Sequence, residues 1–382
     1  MRGCEGPFSN DRVRAAIGMT RVAQSGFLRR LDGWLIVSVL VLLFIGFLAL
    51  WSASAIRPGH PEFKRQWIAL FASLPFFFAF LRTDPRMYAW YSRIVYLIAL
   101  ALLVLVLVAG KAEEGAVRRI DLGPFDFQAG DVALFLMVFT LGALIARLRD
   151  GFATPGGFTL SLLHVLPLAA LVALQPNLSG SLTFLAVWVG MSIISGQRIR
   201  YITLFIMFLI PLTMFAYNAG IIKPYQAQRW VDYVSGNLGF HTQRAIISVG
   251  SGEVVGRGFG RGELKEARFV PVATTDFIFA VIAEEVGFIG SVLVVCGYGF
   301  FLYRVWLVVT NASGIYQRNV AAGIFVIFSY NTLVNLMVVV GLFPVTGVPL
   351  PFVSYGGTAM VVNMMMVATL LSLRLREKGE MF

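Results

Sequence analysis

Thr274-Thr275-Asp276-Phe277-Ile278-Phe279-Ala280 opens an apolar run that continues to Tyr303. A helix needs about 20 apolar residues to cross the hydrocarbon of a bilayer. Residues 276–303 exceed that length, so the stretch predicts a membrane helix headed by a carboxylate. Upstream, residues 220–275 are rich in Gly, Arg, Gln and aromatics. Asp276 therefore sits where a polar loop meets a lipid-soluble helix, a place suited to a substrate that is part lipid and part polar.

The same reading extends over the whole chain. Ten runs have the length and apolarity of a span: 34–55, 67–81, 94–110, 131–147, 158–174, 178–195, 201–219, 276–303, 317–343 and 355–373. The fold class is an all-α polytopic membrane protein with ten transmembrane helices. The chain is 58% hydrophobic and 13% charged, whereas soluble domains are about 45–50% apolar and about 25% charged. A net charge of +11 raises nucleic acid as a partner. The basic residues, however, stand in short segments between apolar runs, which is the membrane pattern, and nucleic acid is set aside.

One set of connecting segments carries the Arg-rich N-terminus, Arg82, Arg86, Arg93, Arg147, Arg149, Arg198, Arg200, Arg304, Arg318, Arg374, Arg376 and Lys378. Short loops rich in Lys and Arg stay cytoplasmic. Both termini are then inside, and segments 111–130, 220–275 and 344–354 face outward. The organisation is a cytoplasmic segment 1–33, a ten-span domain 34–373 and a cytoplasmic tail 374–382. The large outer loop, 220–275, joins the seventh and eighth spans. No internal repeat is visible; an inverted repeat would have favoured a secondary transporter. Cys4 and Cys296 are the two cysteines, and neither a bridge nor a metal spacing is expected from them. No cleavable signal peptide is read, because the first 30 residues are basic and polar, and Met19 is an alternative start.

Ionisable residues at membrane depth are costly and mark function by default. The plain reading of Asp276 is a helix N-cap, with Thr275 or Asp276 accepting first-turn N–H bonds; a cap and a functional acid are compatible. Glu284 and Glu285 follow on the same helix, about 1.5 Å per residue further along, and pair inside the bundle or line a wet cavity. Gln175-Pro176-Asn177 reads as a tight turn, with a re-entrant polar element as the alternative. His164 reads as a hydrogen-bonded interior residue. In the large loop, Tyr225-Gln226-Ala227-Gln228-Arg229-Trp230, Gln243-Arg244, Gly250-Ser251-Gly252, Gly256-Arg257-Gly258 and Gly260-Arg261-Gly262 combine glycines, which let a backbone approach a ligand, with arginines that grip phosphate. A flexible basic loop attracted to anionic headgroups is the plain alternative. Gly347-Val348-Pro349-Leu350-Pro351-Phe352-Val353-Ser354-Tyr355-Gly356-Gly357 reads as a rigid turn, with Ser354 able to cap the last span.

Taken together, these motifs resemble the SEDS family, the RodA/FtsW/SpoVE proteins of bacterial cell-wall synthesis. The resemblance rests on Thr275 to Val281 with Glu284, Glu285 and Gly287, on Gly347 to Gly357, on Gly250-Ser251-Gly252, and on Tyr225, Gln226, Gln228 and Arg229. Asp121-Leu122-Gly123-Pro124 and Gln175-Pro176 also fit, and the likeness runs from the first span to the last. It implies a peptidoglycan glycosyltransferase of the bacterial cytoplasmic membrane that polymerises lipid II. Such proteins work with a class B penicillin-binding protein, a transpeptidase, inside an elongation or division complex. The family's essential aspartate corresponds to Asp276. Its roles remain open between a base and a ligand of a divalent cation, Mg or Mn; no other cofactor is implied. Arg229, Gln228, Arg244, Arg257, Glu285, Gln128, Arg118 and Ser354 are the candidate substrate contacts. A lipid II flippase and a non-catalytic scaffold that activates a partner synthase are the rival readings.

The chain also departs from the family pattern. Arg118 matches, but Arg119 stands where the family commonly has Trp. Gln128-Ala129-Gly130-Asp131 replaces Gln-Pro-Ser-Glu, and Leu134 stands in a Lys position. Gln175-Pro176-Asn177-Leu178-Ser179-Gly180 replaces Gln-Pro-Asp-Leu-Gly-Thr. The elongation and division roles are not separated by any of these residues.

Overall fold

The computed structural model describes residues 31–55, 59–113, 116–121, 126–218, 220, 228, 231–236, 239–262 and 274–377. The N-terminal segment with Cys4 and Met19, Arg229, and Lys378 in the tail lie outside the described residues. The helices are α1 (Gly33–Ala53), α2 (Pro61–Arg82), α3 (Pro85–Trp90), α4 (Ser92–Ala109), α5 (Ala129–Leu148), α6 (Pro155–Leu174), α7 (Leu178–Ile194), α8 (Ile199–Asn218), α9 (Phe240–Ser251), α10 (Ile278–Asn311), α11 (Ile315–Val339) and α12 (Gly357–Glu377). Each of the ten apolar runs falls on one of these helices in order. Among the described residues, seven helices are long and apolar enough to cross a membrane, and Leu178–Ile194 and Ile199–Pro211 are apolar but shorter. The chain is a multi-pass membrane protein.

The all-α expectation is corrected between α4 and α5. Strands β1 (Lys111–Glu113), β2 (Ala116–Asp121) and β3 (Asp126–Phe127) form a small antiparallel sheet in the order β1-β2-β3. Lys111 faces Arg119, and Ile120 faces Phe127. Strands of two to six residues leave too few alternations to be read as a period of two.

Helix ends follow local chemistry. Asp32 caps α1 through Leu35 N at 3.1 Å, Thr154 caps α6 through Gly157 N, and Asn177 caps α7 through Gly180 N, as short polar side chains do. In the bundle α12 lies along α2 and α10 along α11, while α1 covers α10 and α5 and α7 flank α11. Phe301, Phe328 and Phe352 pack with ring centroids 5.0, 5.5 and 5.6 Å apart. That cluster anchors the segment before α12 against α10 and α11, with the edge-to-face geometry that aromatic pairs favour. By contrast, α8 presents Leu204, Met207, Phe208 and Ile210 outward, an apolar face suited to lipid. His164 is the interior residue expected: Nε2 lies 2.9 Å from Thr140 Oγ1, and its ring stacks on Tyr96.

α10 is broken rather than continuous. Gly287 has φ 66° and ψ −166°, a region essentially reserved for glycine. In an unbroken helix Phe288 N and Ile289 N would bond Glu284 O and Glu285 O. Instead Phe288 N donates to Glu253 O at 2.9 Å and Ile289 N to Val254 O at 3.2 Å. The released carbonyls of Glu284 and Glu285 accept from Arg257 N and Gly258 N, each at 3.0 Å. The loop after α9 is thus inserted into the helix and replaces both halves of two helical bonds. This satisfies backbone groups that could not be left open at such burial.

Candidate functional site

The 274–277 turn leads into α10, whose N-cap position falls on Phe277, one residue past Asp276. Three successive carbonyls of that turn are held, two from a second segment and one from α11. Tyr355 N donates to Thr274 O at 2.8 Å. Ser354 Oγ donates to Thr275 O at 2.5 Å. Asn335 Nδ2, from the end of α11, donates to Asp276 O at 2.9 Å and also to Val348 O at 2.8 Å. The second segment is itself braced: Ser354 Oγ accepts from Leu350 N, while Gln66 donates to Ser354 O and accepts from Gly356 N. Backbone position at Asp276 is therefore set by α2, α11 and residues 348–356 together.

Asp276 lines a cleft of about 100 Å³ with Gln128, Asp131, Gly347, Pro349, Tyr355 and Thr358 among its neighbours. Gly347 has φ 74°, and a Cβ built there would lie 3.7 Å from Asp276 Oδ2, so the loop passes close to the carboxylate. Gln128 Nε2 donates to Asp131 Oδ1 at 3.2 Å, and Gln128 N donates to Thr358 Oγ1 at 3.0 Å. A second cavity of about 110 Å³ continues inward past Gln128 and Asp131. Its polar lining is Asn177, Ser179, Thr183, Asn331, Thr346 and Asn363. Among the described residues, neither wall carries a Lys or Arg, and the two carboxylates are Asp276 and Asp131.

The predicted contacts divide. Gln128 joins Asp276 in the cleft. Ser354 stands behind it, its hydroxyl bonded to Thr275 and Leu350, so it locks two segments instead of capping α12. Glu285 is buried and takes Ser52 Oγ, and Glu284 takes Ser248 Oγ at 2.8 Å; neither lines the cleft. Arg257 is exposed with Nε on Ser251 O. Arg244 has its guanidinium 5.2 Å from the Phe240 ring centroid. Gln228 is exposed and donates to Asp232. Arg118 lies in β2, and Arg229 is outside the described residues. Part of the glycine-rich loop packs on α10: Cβ atoms at Gly252 and Gly256 would collide with the carbonyls of Ala283 and Glu285. Sequence reasoning missed Asn335, Gln66 and Thr358 as supports. It met Asp131 as an altered position, not as a second acid of the cleft. The i, i+3 spacing of Gln128 and Asp131 was the available signal.

Fold and cleft define a multi-pass membrane protein with an acidic site at one end of its helical bundle. A family profile described as "Cell cycle protein", covering FtsW, RodA and SpoVE, matches residues 33–379. The chain belongs to that family. It is 31% identical to the peptidoglycan glycosyltransferase MrdB of Escherichia coli K12 over 359 residues, covering 91% of this chain and 94% of that one. It is 30% identical to a probable peptidoglycan glycosyltransferase FtsW of Thiomicrospira cyclica, with coverages of 90% and 92%. Among solved structures it resembles a chain of a peptidoglycan synthase complex that coordinates polymerization and crosslinking (TM-score 0.77, 27% identity, 91% and 98% covered). It also resembles the rod shape determining protein RodA of Thermus thermophilus (TM-score 0.69, 26% identity, 90% and 96% covered).

Proposed function

We propose that this protein is a peptidoglycan glycosyltransferase that polymerises lipid II at the outer face of the bacterial cytoplasmic membrane, with Asp276 as its catalytic carboxylate. The observation that carries the reading is the carboxylate itself. It borders an open cleft at a helix start, on a backbone held at three consecutive carbonyls. Such rigidity is what a reacting group needs, since effective catalysis depends on fixed geometry. The family membership and the names of the relatives point to the same chemistry.

In this reading the acceptor sugar's 4-hydroxyl oxygen attacks the donor's anomeric carbon. The bond from that carbon to the lipid pyrophosphate breaks, and the pyrophosphate leaves with the electron pair. Asp276 takes the hydroxyl proton. The amide and hydroxyl lining of the inner cavity suits uncharged sugar or peptide groups, and Arg229 is our assignment for the pyrophosphate. Among the described residues no group of three ligating side chains exists. Asp276 and Asp131 nevertheless fit the mode in which Mg²⁺ or Mn²⁺ takes one or two carboxylates plus substrate phosphates. Such an ion, when bound, would offset charge on the leaving pyrophosphate. We further propose ten spans with both termini cytoplasmic and a class B penicillin-binding protein as the crosslinking partner.

Asp276→Ala and Asp276→Asn tested on purified lipid II, with the full chain and its partner in detergent, are expected to lose about 10²–10⁴-fold in rate. Both should keep the melting temperature of the parent. Full polymerisation by either variant would remove Asp276 from the mechanism. Chain growth by the parent in detergent, where no bilayer separates two compartments, distinguishes polymerase from flippase.

A further inference from the structure

We infer that Asn335 is a positioning residue for polymerisation: its single amide nitrogen ties the backbone of Asp276 to the loop that passes its carboxylate. This rests on the assignment of Asp276 above. Asn335 is fully buried at the end of α11. Its Nδ2 donates to two carbonyls that belong to separate segments of the chain. One is Asp276's own, at 2.9 Å; the other is that of Val348, at 2.8 Å, the residue after Gly347. Gly347 is the residue that faces the Asp276 carboxylate. The Asp276 backbone and the loop beside its carboxylate are therefore pinned through the same amide, each within one residue of the point where they approach each other.

The amide orientation follows from its surroundings. Two carbonyl oxygens face one atom, and only the NH₂ end donates. Among the described residues Asn335 Oδ1 is buried and accepts no hydrogen bond. What an apolar side chain cannot supply is a pair of donors to two separate segments. Ser354 and Tyr355 hold the carbonyls of Thr275 and Thr274, but among the described residues neither bonds the carbonyl of Asp276 itself. Asn335 is the side chain that does.

Asn335→Asp is the informative variant. It keeps shape and volume and replaces the donor with a carboxyl group facing two carbonyls. Asn335→Gln restores donors on a longer stem. Lipid II polymerisation by the full chain with its partner in detergent would be measured per folded, partner-bound protein, with Asp276→Ala beside it. We expect Asn335→Asp to lose about 10- to 100-fold in kcat, the scale of a misplaced reacting group, with KM for lipid II little changed. Asn335→Gln should recover part of that loss. An Asn335→Asp protein with parental kcat, one whose loss lies in KM, or one that no longer purifies folded with its partner would each overturn the inference. Activity in Asp276→Ala would instead overturn the assignment on which it rests.

Discussion

Asp276 stood out in the sequence as an acid at the boundary of a polar loop and a long apolar run; its plain reading was a helix cap, and the family resemblance singled it out as the functional acid. Its supports did not stand out. Asn335 and Gln66 are single polar residues in or beside apolar helices, and no spacing distinguishes a buried amide that braces a loop from one that faces a neighbouring helix. Ser354 was read as a cap from its place before α12, yet its hydroxyl bridges Leu350 N and Thr275 O. That difference is testable. Ser354→Ala leaves a buried donor and a buried acceptor without partners, at about 1–3 kcal/mol. Thermal unfolding in detergent should show a lowered melting temperature, and the polymerisation rate should fall with it. A variant unchanged in both would show that the lock carries no energy. Ser354→Thr, which keeps the hydroxyl, should lie closer to the parent than the alanine variant does.

Helices were the most legible part of the fold, because about 20 apolar residues announce a span whatever surrounds them. The break in α10 was invisible for the same reason: hydropathy runs unbroken through Gly287. Its cause is remote in sequence, since residues 253–258 supply the peptide groups that replace two helical bonds. The glycines of that loop were read as allowing close approach to a ligand, with a flexible basic loop as the alternative; at Gly252 and Gly256 the α10 backbone is what lies against them. Gly287→Ala tests this directly. The backbone there, φ 66° and ψ −166°, costs a residue with Cβ about 1–3 kcal/mol, and the new Cβ would fall 2.3 Å from Gly256 N. We expect loss of the inserted loop, a clearly lowered melting temperature and loss of polymerisation, because residues 278–286 connect the break to Asp276. A Gly287→Ala protein that melts and polymerises like the parent would mean that the insertion does not hold the site.

Arginines gather at the end of the bundle away from Asp276 and knit it together. Arg304 bonds both oxygens of Asp32 at 2.6 and 2.7 Å. Arg147 reaches Ala89 O and Ser92 Oγ. Arg376 reaches Arg82 O and lies 3.5 Å from Asp84. Positively charged short loops resist translocation, which supports the proposal that this end is cytoplasmic and that the cleft opens outward. The orientation matters to the mechanism, because a polymerase acting on exported lipid II needs Asp276 outside. It can be checked with single cysteines in a background lacking Cys4 and Cys296. Ser235 and Asn311 are both exposed; Ser235 precedes α10 in the chain and Asn311 is the last residue of α10. A membrane-impermeant maleimide should label Ser235→Cys in intact cells and label Asn311→Cys only after permeabilisation. The reverse pattern would put Asp276 in the cytoplasm, where the substrate is made rather than polymerised, and the charge argument and the proposed reaction would fall together.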